Sequence, residues 1–275
     1  MDVGFHRVGF EILSERPQGV YRCAIRSLFQ VYDKVQLIMA SGVKKIFAEV
    51  APTYELVNHV LTFGLDILWR KKAARLAVQG KGRRWLDVCS GTGDMARALC
   101  RLAPSGVQVT AVDFSLPMLR RGLEIMGPRL CYFPAVAALP ALPFEDGTFD
   151  LVTSAFATRN INLSRKALLA CFREVHRVLK PGGRFISLET SQPANPFIQT
   201  LFHLYIKTMV LTVGRAISGS RTGYTYLAST IPRFYDAPAL AALFREAGFG
   251  TVSFEQFFFG AAAAHLAVKR RRSRY

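Results

Sequence analysis

Acidic residues are scarce in this sequence: 19 Asp and Glu stand against 36 Lys and Arg among 275 residues, a formal net charge of +17. The five cysteines are odd in number and show no Cys-x-x-Cys spacing, which argues against a disulfide framework and against a zinc site. The five histidines are too scattered to form a metal cluster, so we expect no bound metal. Cysteine usage instead indicates a reducing compartment, cytoplasmic or matrix-like.

We also expect no leader sequence at the start of the chain. Residues 1–38 carry acidic side chains, which argues against a transit peptide, and they contain no continuous apolar segment of the kind found in a secretory signal. We expect residues 1–45 to form an extension of uncertain role, residues 46–269 to form one domain, and residues 270–275 to form a basic tail. A single core is compatible with this length because compact cores stop growing near about 250–300 residues.

Apolar residues, by contrast, make up 51% of the chain. This proportion excludes disorder for most of it. Combined with the basic charge, it indicates an anionic partner: a nucleic acid, an acidic cofactor or the surface of an anionic bilayer. A solvated basic surface without any partner explains the charge equally well.

Short runs rich in β-branched residues alternate with helical patterns in the middle of the chain. The predicted strands are Arg83–Cys89, Val107–Asp113, Phe149–Phe156 and Gly183–Glu189, and the predicted helices between them are Asp94–Leu102, Pro117–Ile125 and Ser164–Leu179. Strands that alternate with helices predict a parallel sheet covered on both faces. The fold class is therefore α/β, with a doubly wound, mostly parallel sheet.

The regions on either side add helices and a hairpin. Tyr54–Val78 has a helical pattern interrupted by Gly64, which predicts two short helices. Near the C-terminus a helical stretch, Ala237–Ala247, precedes two strand-like runs, Thr251–Phe259 and Ala262–Lys269. These runs are too close together for a crossover helix, so we expect a C-terminal antiparallel hairpin.

The segment Asn195–Ile217 interrupts this alternation. It is strongly apolar, yet His203 and Lys207 lie within it, whereas a helix that spans a bilayer needs about 20 predominantly apolar residues. Two interpretations stay open. The segment forms a buried or lid helix, or it forms a surface that receives a lipid-like substrate or rests on a membrane.

The first strand is followed by a glycine-rich turn, LDVCSGTGDMA (Leu86–Ala96). Gly91 and Gly93 allow the backbone to turn tightly and to approach a ligand, and the N–H groups at the start of the next helix face that ligand. Asp113 ends the second strand 20 residues after Gly93, where a carboxylate accepts hydrogen bonds from ribose hydroxyls. Together these features predict a cofactor of the adenosine type.

The glycines alone do not identify the cofactor. Gly91 to Ala96 also fits G-x-G-x-x-A, the pattern of nicotinamide dinucleotide sites. Asp87 discriminates, because a carboxylate four residues before Gly91 suits the cationic amino group of S-adenosylmethionine and repels a pyrophosphate. Charge complementarity therefore favours S-adenosylmethionine, although a strand-end carboxylate that caps a turn is the alternative for Asp87.

Several further segments carry a family resemblance. Arg159-Asn160 follows the fourth predicted strand and L-E-x-S-x-P follows the fifth. With the glycine turn, the matching segments are Ile46–Ala73, Val109–Leu119, Leu142–Ile161, Arg173–Pro196, Tyr224–Ile231 and Gly260–Lys269. The chain resembles the ubiquinone/menaquinone biosynthesis C-methyltransferases, which are class I methyltransferases that use S-adenosylmethionine. The resemblance implies a seven-stranded Rossmann-like methyltransferase sheet.

The same resemblance assigns residues to the cofactor. It implies that Gly91, Thr92 and Gly93 line its methionine and ribose parts, with Asp87 near the amino group, Asp113 on the ribose and Phe114 beside the adenine. Ala138 and Leu139 stand where the family has Asp-Ala or Asn-Ala, whose first residue faces the adenine amino group. The loss of one such hydrogen bond weakens affinity by up to about tenfold.

The reaction implied by the resemblance is methylation of a ring carbon of a polyprenyl quinol, either demethylmenaquinol or a benzoquinol. Arg159 and Asn160 are our candidates for orienting the quinol oxygens and stabilising phenolate charge; the alternative for Arg159 is an ion pair with Glu189. Tyr54 and Asn58 are expected to close over the cofactor, unless they are ordinary helix-surface groups. Ala157-Thr158 is a second departure from the family, where Gly and an aliphatic residue are usual.

The base that removes the phenolic proton stays unassigned among His203, His265 and a water molecule held by Arg159. Other functions are weighed too: methylation of another lipophilic phenol, a non-catalytic organiser of quinone biosynthesis at the membrane, or a nucleic-acid methyltransferase. Specific nucleic-acid binding is disfavoured, because SAFATRN stands where base-modifying enzymes usually carry D/N-P-P-Y/F. We expect peripheral contact with an anionic membrane, and a homo-oligomer is compatible with the sequence.

Overall fold

The computed structural model describes residues 53–80, 82–127, 131–210 and 228–271, with isolated positions between 212 and 225. The expected extension at residues 1–45 and the last four residues of the expected basic tail lie outside this part of the chain. The cysteines at 89, 100, 131 and 171 are all free thiols. Within the described ranges, no helix combines the length and the apolar character needed to cross a bilayer.

Seven strands form one sheet in the order β3-β2-β1-β4-β5-β7-β6. The first five run parallel, and β7 lies antiparallel between β5 and β6. The strands are β1 Arg84–Val88, β2 Gln108–Asp113, β3 Tyr132–Val136, β4 Phe149–Ala155, β5 Leu179–Thr190, β6 Thr251–Phe257 and β7 Ala262–Val268. The predicted parallel sheet and C-terminal antiparallel pair are confirmed.

Helices cover both faces of this sheet. They are α1 Tyr54–Leu61, α2 Leu65–Ala77, α3 Asp94–Leu102, α4 Leu116–Met126, α5 Arg165–Val178, α6 Pro196–Tyr205 and α7 Ala237–Glu246. Phe172 of α5 and Phe244 of α7 pack on one face with Phe185 of β5. Ala73 of α2 and Leu99 of α3 pack on the other face. The doubly wound architecture is therefore confirmed.

Strand β3 was not anticipated from the run of residues that forms it. Its sequence, YFPAV, contains Pro134, which cannot donate a backbone hydrogen bond and therefore argues against a central strand. The structure places β3 at the edge of the sheet, paired only with β2. An edge strand tolerates proline because one of its sides has no partner strand.

The apolar segment that begins at Asn195 forms α6 and a π-helical turn, Ile206–Val210. Asn195 caps the helix by accepting from the N–H groups of Phe197 and Ile198. No residue of α6 itself is buried, whereas Ile206 and Val210 are. The interpretation as a buried helix is therefore wrong for α6, which lies on the surface.

Candidate active site

A cleft of about 820 Å³, which includes space open to solvent, lies at the carboxyl ends of β1, β2 and β4. The chain leaves β1 toward β2 and β3 on one side and returns to β4 and β5 on the other, so the cleft occupies the switch point of the sheet. The lining includes eight of the predicted cofactor or catalytic residues, together with Ala157 of the second departure: Asp87, Gly91, Thr92, Asp113, Phe114, Ala138, Leu139 and Asn160.

The glycine turn is shaped by two left-handed residues, Gly91 with φ +54° and Gly93 with φ +82°. A Cβ atom at Gly91 would meet no protein atom within 4 Å, because this position faces the open cleft. A Cβ atom at Gly93 would lie 3.2 Å from the hydroxyl oxygen of Tyr132, behind the turn. Gly91 therefore keeps ligand space open, whereas Gly93 allows the turn to pack on β3.

Asp113 is held by the backbone of the neighbouring loops. Its Oδ2 accepts from the Gly91 N–H at 2.9 Å and its Oδ1 accepts from the Ser115 N–H at 2.8 Å. Burial raises the pKa of this carboxyl to about 6, although these backbone donors favour its ionised form. A carboxylate offers about four acceptor positions, so capacity for ribose hydroxyls is left after both backbone bonds.

Asp87 is fully buried at the end of β1. Its Oδ1 accepts from the Thr153 hydroxyl at 2.7 Å, but its Oδ2 has no hydrogen-bond partner among the described residues. Burial raises the pKa of Asp87 to about 7, and the Thr153 hydroxyl, the nearby Ala96 N–H and the charge of Arg70 oppose this shift. Since an unpartnered buried carboxylate oxygen is costly, the site is built for a cationic or hydrogen-bonding ligand group.

Arg70 of α2 also lines the cleft, although no motif in the sequence predicts it. It is the one Lys or Arg in the cleft lining as described. Its guanidinium hydrogen-bonds Asp66, lies 3.8 Å from Asp94, and stands 4.9 Å from the centre of the Phe156 ring. The nitrogen Nε has no partner among the described residues, although it is buried. Arg70 thus places a cation beside the acidic side chains of the cleft lining.

A network of charged side chains fixes the helices around Arg70. Arg97 of α3 donates to Glu55 of α1 at 2.6 Å and to Asp94 at 2.5 Å, and His59 of α1 lies 2.9 Å from Asp66 of α2. The pKa of Asp66 is lowered because Arg70, Thr62 and His59 together outweigh the opposing effect of burial. The network therefore attaches α1, the predicted lid helix, to α2 and α3.

Arg159 and Asn160 are adjacent in sequence, but their side chains have different surroundings. Asn160 is buried in the cleft lining, and its Oδ1 has no partner among the described residues. Arg159 is buried outside that lining, where its guanidinium donates to the Thr230 hydroxyl at 2.6 Å. Glu189 accepts from the Arg159 backbone N–H at 3.1 Å, and no ion pair joins the two side chains in the described part of the chain.

The remaining candidates are two residues of α1 and two histidines. Asn58 lies on α1, half-buried, outside the cleft lining; Tyr54 is the first residue of α1, and its side chain lies outside the description. Neither candidate base lines the cleft: His203 pairs with Gln192 at 2.8 Å, and His265 is buried against the Ala237 carbonyl. Burial lowers the pKa of His265, so this imidazole is neutral at physiological pH.

The two departures from the family differ in their surroundings. Ala138 is buried in the cleft lining, so a longer side chain there would face the ligand. Thr158, in contrast, turns away from the cleft and lies 3.2 Å from the hydroxyl of Ser187 in β5. Among the described residues, no group of three or more His, Cys, Asp or Glu side chains is arranged to hold a metal ion.

The charges of the cleft fit S-adenosylmethionine better than a dinucleotide. Asp87 leaves one carboxylate oxygen for an ammonium group, and Gly91 leaves space beside it. A pyrophosphate at the same turn would meet Asp87 and Asp94, both of which line the cleft, and would be repelled. The nicotinamide alternative is therefore disfavoured by the site itself.

Comparisons with known proteins agree with this geometry. Residues 34–269 match the model of the ubiE/COQ5 methyltransferase family. The demethylmenaquinone methyltransferase of Thermus thermophilus is 40% identical over 224 residues, which cover 80% of this chain and 98% of that relative. The ubiquinone/menaquinone biosynthesis C-methyltransferase of Desulfotalea psychrophila is 34% identical over 248 residues, 90% of this chain and 98% of that relative.

Solved structures show the same fold. A SAM-dependent methyltransferase from Thermotoga maritima superposes with a TM-score of 0.60 at 18% identity, covering 82% of this chain and 99% of that one. At that identity the likeness concerns the fold, whereas the sequence matches concern the family. The chain belongs to the ubiE/COQ5 methyltransferase family and is an S-adenosylmethionine-dependent methyltransferase.

Proposed function

We propose that the chain methylates a ring carbon of a polyprenyl quinol, and of demethylmenaquinol in particular. The observation that carries this proposal is the unpartnered, buried oxygen of Asp87 beside the open Gly91 turn, in a chain of this family. Relatives 34–40% identical to the chain are named as methyltransferases of demethylmenaquinone or of ubiquinone and menaquinone biosynthesis. Their names support a quinol substrate, and most of those reported specify the naphthoquinone ring.

Different residues of the cleft bind different parts of the cofactor. Asp87 binds the ammonium group, and Arg70 faces the carboxylate of the same amino-acid end, since it is the cation on that side of the cleft. Asp113 accepts from the ribose, while Phe114, Ala138 and Leu139 border the adenine. When bound, S-adenosylmethionine supplies an electrophilic methyl group on a sulfonium. The protein must hold that methyl in line with the attacking carbon.

The quinol side of the cleft is largely apolar. Ala155, Phe156, Ala157 and Ile161 line it, and they exclude water from the reacting atoms. Asn160 is the polar group among them, and its free Oδ1 accepts a hydrogen bond from a phenolic hydroxyl. That contact orients the ring and draws the hydroxyl proton away from the oxygen, which raises the electron density of the ring carbon. Asn160 is therefore our candidate for contact with the substrate.

Arg159 is a positioning residue for Asn160. Its backbone N–H is fixed by Glu189 and its guanidinium by Thr230, so it sets the path of the loop that carries Asn160. We keep Arg159 as a candidate for stabilising phenolate charge, since its guanidinium is buried and acts through a low-dielectric interior. No histidine of the described residues lines the cleft, so we propose that the phenolic proton passes to solvent water at the open side of the cleft.

The proposal is tested with the purified chain, methyl-labelled S-adenosylmethionine and a demethylmenaquinol with a short side chain. Label should appear on the quinone ring carbon by mass spectrometry. Asn160→Ala should bind the cofactor as the unchanged chain does and lose about 10²-fold or more in turnover, the usual cost of one stabilising donor or acceptor. Absence of ring label in the unchanged chain, with cofactor binding intact, would overturn the quinol assignment.

A further inference from the structure

We propose that a group of exposed apolar side chains around the cleft, the apolar rim, docks on the surface of an anionic lipid bilayer. The rim consists of residues on α6, on the turn between β6 and β7, and at the end of α1: Phe197, Leu201, Leu204, Phe258, Phe259 and Phe63. This inference rests on the proposed function, because a polyprenyl quinol dissolves in the bilayer. It adds the surface through which the enzyme would approach that substrate.

The rim lies at the edge of the sheet where the cleft opens. Ala262, the first residue of β7, pairs with Thr190 at the carboxyl end of β5, so the preceding turn with Phe258 and Phe259 lies at that edge. The same turn contacts the segment that leads into α6, since the Ser191 N–H donates to the Ala261 carbonyl at 2.9 Å. The beginning of α6 is therefore next to the β6–β7 turn.

Helix α1 connects the far end of α6 to the cleft. The Tyr205 hydroxyl donates to the Leu61 carbonyl at 2.6 Å, and the ring of Phe63 lies 6.2 Å from that of Tyr205. Val57 of α1 packs with Met118, which lines the cleft. The exposed phenylalanines thus occupy neighbouring elements around one opening, rather than scattered positions on the surface.

The exposure of these side chains is not explained by folding. Phe63, Phe258 and Phe259 are 80%, 58% and 73% exposed, and Phe197 is 72% exposed. The first three also have left-handed backbones, with φ of 51°, 46° and 56°. Glycine or asparagine suits such positions better than a bulky aromatic residue. Phenylalanine there gains no core packing and has the less favourable backbone, so its use indicates an external apolar partner.

Helix α6 also carries exposed apolar side chains, and they lie along one face. Phe197, Leu201 and Leu204 are spaced at i, i+4 and i+7, which places them on one face, and all three are exposed. A helix that lies in the interfacial plane of a bilayer buries such a face among the headgroups and upper acyl chains. The elements of the rim are therefore suited to shallow insertion.

Charge decides between a bilayer and another protein surface. The sequence has no Asp or Glu from Thr190 to Tyr235, or from Gln256 to Tyr275. The first of these acid-free segments contains α6 and the exposed Lys207 and Arg233. The second contains the β6–β7 turn, and its lysine and arginines come only after β7, which ends at the opposite edge of the sheet. Exposed apolar side chains in a segment that carries exposed cations and no acidic residue match a surface that is apolar inside and anionic at its headgroups.

The test uses the full chain and a variant designed to keep the fold. Phe63→Asn, Phe258→Asn and Phe259→Asn together remove three rim side chains and insert a residue that favours their backbone. Leu102→Asn is the control, because Leu102 is exposed at the end of α3, which leads from the glycine turn toward the opposite edge of the sheet. Flotation with phosphatidylcholine vesicles that contain about 30% phosphatidylglycerol measures binding.

We expect the unchanged chain and Leu102→Asn to bind these vesicles, and the triple variant to bind at least about tenfold more weakly. Binding should fall when phosphatidylglycerol is omitted. Equal binding by the triple variant, or no binding by the unchanged chain, would overturn the inference. So would a triple variant that binds vesicles normally but changes from dimer to monomer in solution, which would assign the rim to a second copy.

The outcome is separable from that of the proposed function. A short-chain quinol in solution does not need the bilayer, so methyl transfer to it should be equal in the triple variant and the unchanged chain. Methyl transfer without vesicle binding would overturn the proposed docking surface and leave the proposed function unaffected. Vesicle binding without transfer would remove the function and show that the rim serves another lipid-surface activity.

Discussion

The two sides of the cleft are built in different ways. On the sheet side, Asp87 and Asp113 lie at the ends of β1 and β2, and Gly91 lies in the turn after β1. Backbone N–H groups hold Asp113, and the Thr153 hydroxyl of β4 holds Asp87. On the helical side, Arg70 and Asp94 are placed by side-chain charge pairs between α1, α2 and α3. The sheet side is therefore defined by local sequence and topology, whereas the helical side depends on tertiary packing.

The difference predicts how each side responds to change. Substitution on the sheet side should alter ligand affinity with little effect elsewhere, because backbone donors keep the loops in place. Substitution on the helical side should affect ligand affinity and stability together, because the charged groups hold helices as well as ligand. The following experiments compare the two sides, beginning with the largest expected effect.

Removing the charge of Asp87 should have the greatest effect on the sheet side. Asp87→Asn keeps the shape of the side chain but loses the carboxylate that would pair with the cofactor ammonium, so binding of S-adenosylmethionine should weaken about 30-fold or more. Calorimetry measures the affinity, with the exposed Asp146→Asn as a control. Unchanged affinity in Asp87→Asn would show that the ammonium lies elsewhere.

Filling the space at Gly91 should weaken the same binding by at least about tenfold, the cost of a methyl group in occupied space. Gly91→Ala has a matched control in Gly127→Ala, because both positions have left-handed backbones and neither Cβ would meet a protein atom within 4 Å. Only Gly91 lines the cleft. Equal affinity losses in the two variants would attribute the effect to backbone strain and not to the ligand.

Arg70 tests the helical side. Arg70→Met should weaken binding of S-adenosylmethionine by about tenfold and leave binding of its decarboxylated analogue almost unchanged, since that analogue lacks the group Arg70 would face. It should also lower the melting temperature, because Asp66 and Asp94 lose a buried partner. The exposed Lys71→Met on the same helix is the control. Equal losses for both ligands would assign Arg70 a purely structural role.

Cofactor binding should depend on pH because Asp87, on the sheet side of the cleft, changes its protonation state. Burial raises the pKa of Asp87 to about 7, whereas a bound ammonium favours the ionised form, so binding releases a proton at lower pH. Affinity should therefore rise by up to about tenfold per pH unit as the pH approaches 7 and level off above it. Calorimetry in buffers of different ionisation enthalpy counts the protons, and Asp87→Asn should release fewer.

The smallest effect concerns the departure at Ala138. Ala138→Asn restores a side-chain amide at the adenine end, so affinity should improve by about threefold to tenfold. Weaker binding would indicate that this cleft has no room for the family's side chain. Ala157→Gly, on the substrate wall, should leave cofactor affinity unchanged in the same titration.

What could be predicted from the sequence follows the same division. The glycine turn and its two carboxylates follow from strand ends that are recognisable locally. Arg70 could not be predicted, because nothing in its own segment shows that α2 turns that side chain into the cleft. Arg159 and Asn160 both lie in the loop that begins at the left-handed Phe156, so their adjacency in sequence did not reveal which of the two side chains faces the ligand. Strand β3 was not predicted for a related reason. Its Pro134 is tolerated because β3 lies at the edge of the sheet, and the local sequence does not show that position.

The most direct test of the account is a crystal structure of the chain with S-adenosylhomocysteine. We expect the ammonium nitrogen within hydrogen-bond distance, about 2.7–3.2 Å, of Asp87 Oδ2, with the carboxylate toward Arg70 and the sulfur directed at Asn160. A ligand that leaves Asp87 Oδ2 unpartnered, or that places its sulfur away from Asn160, would contradict the account.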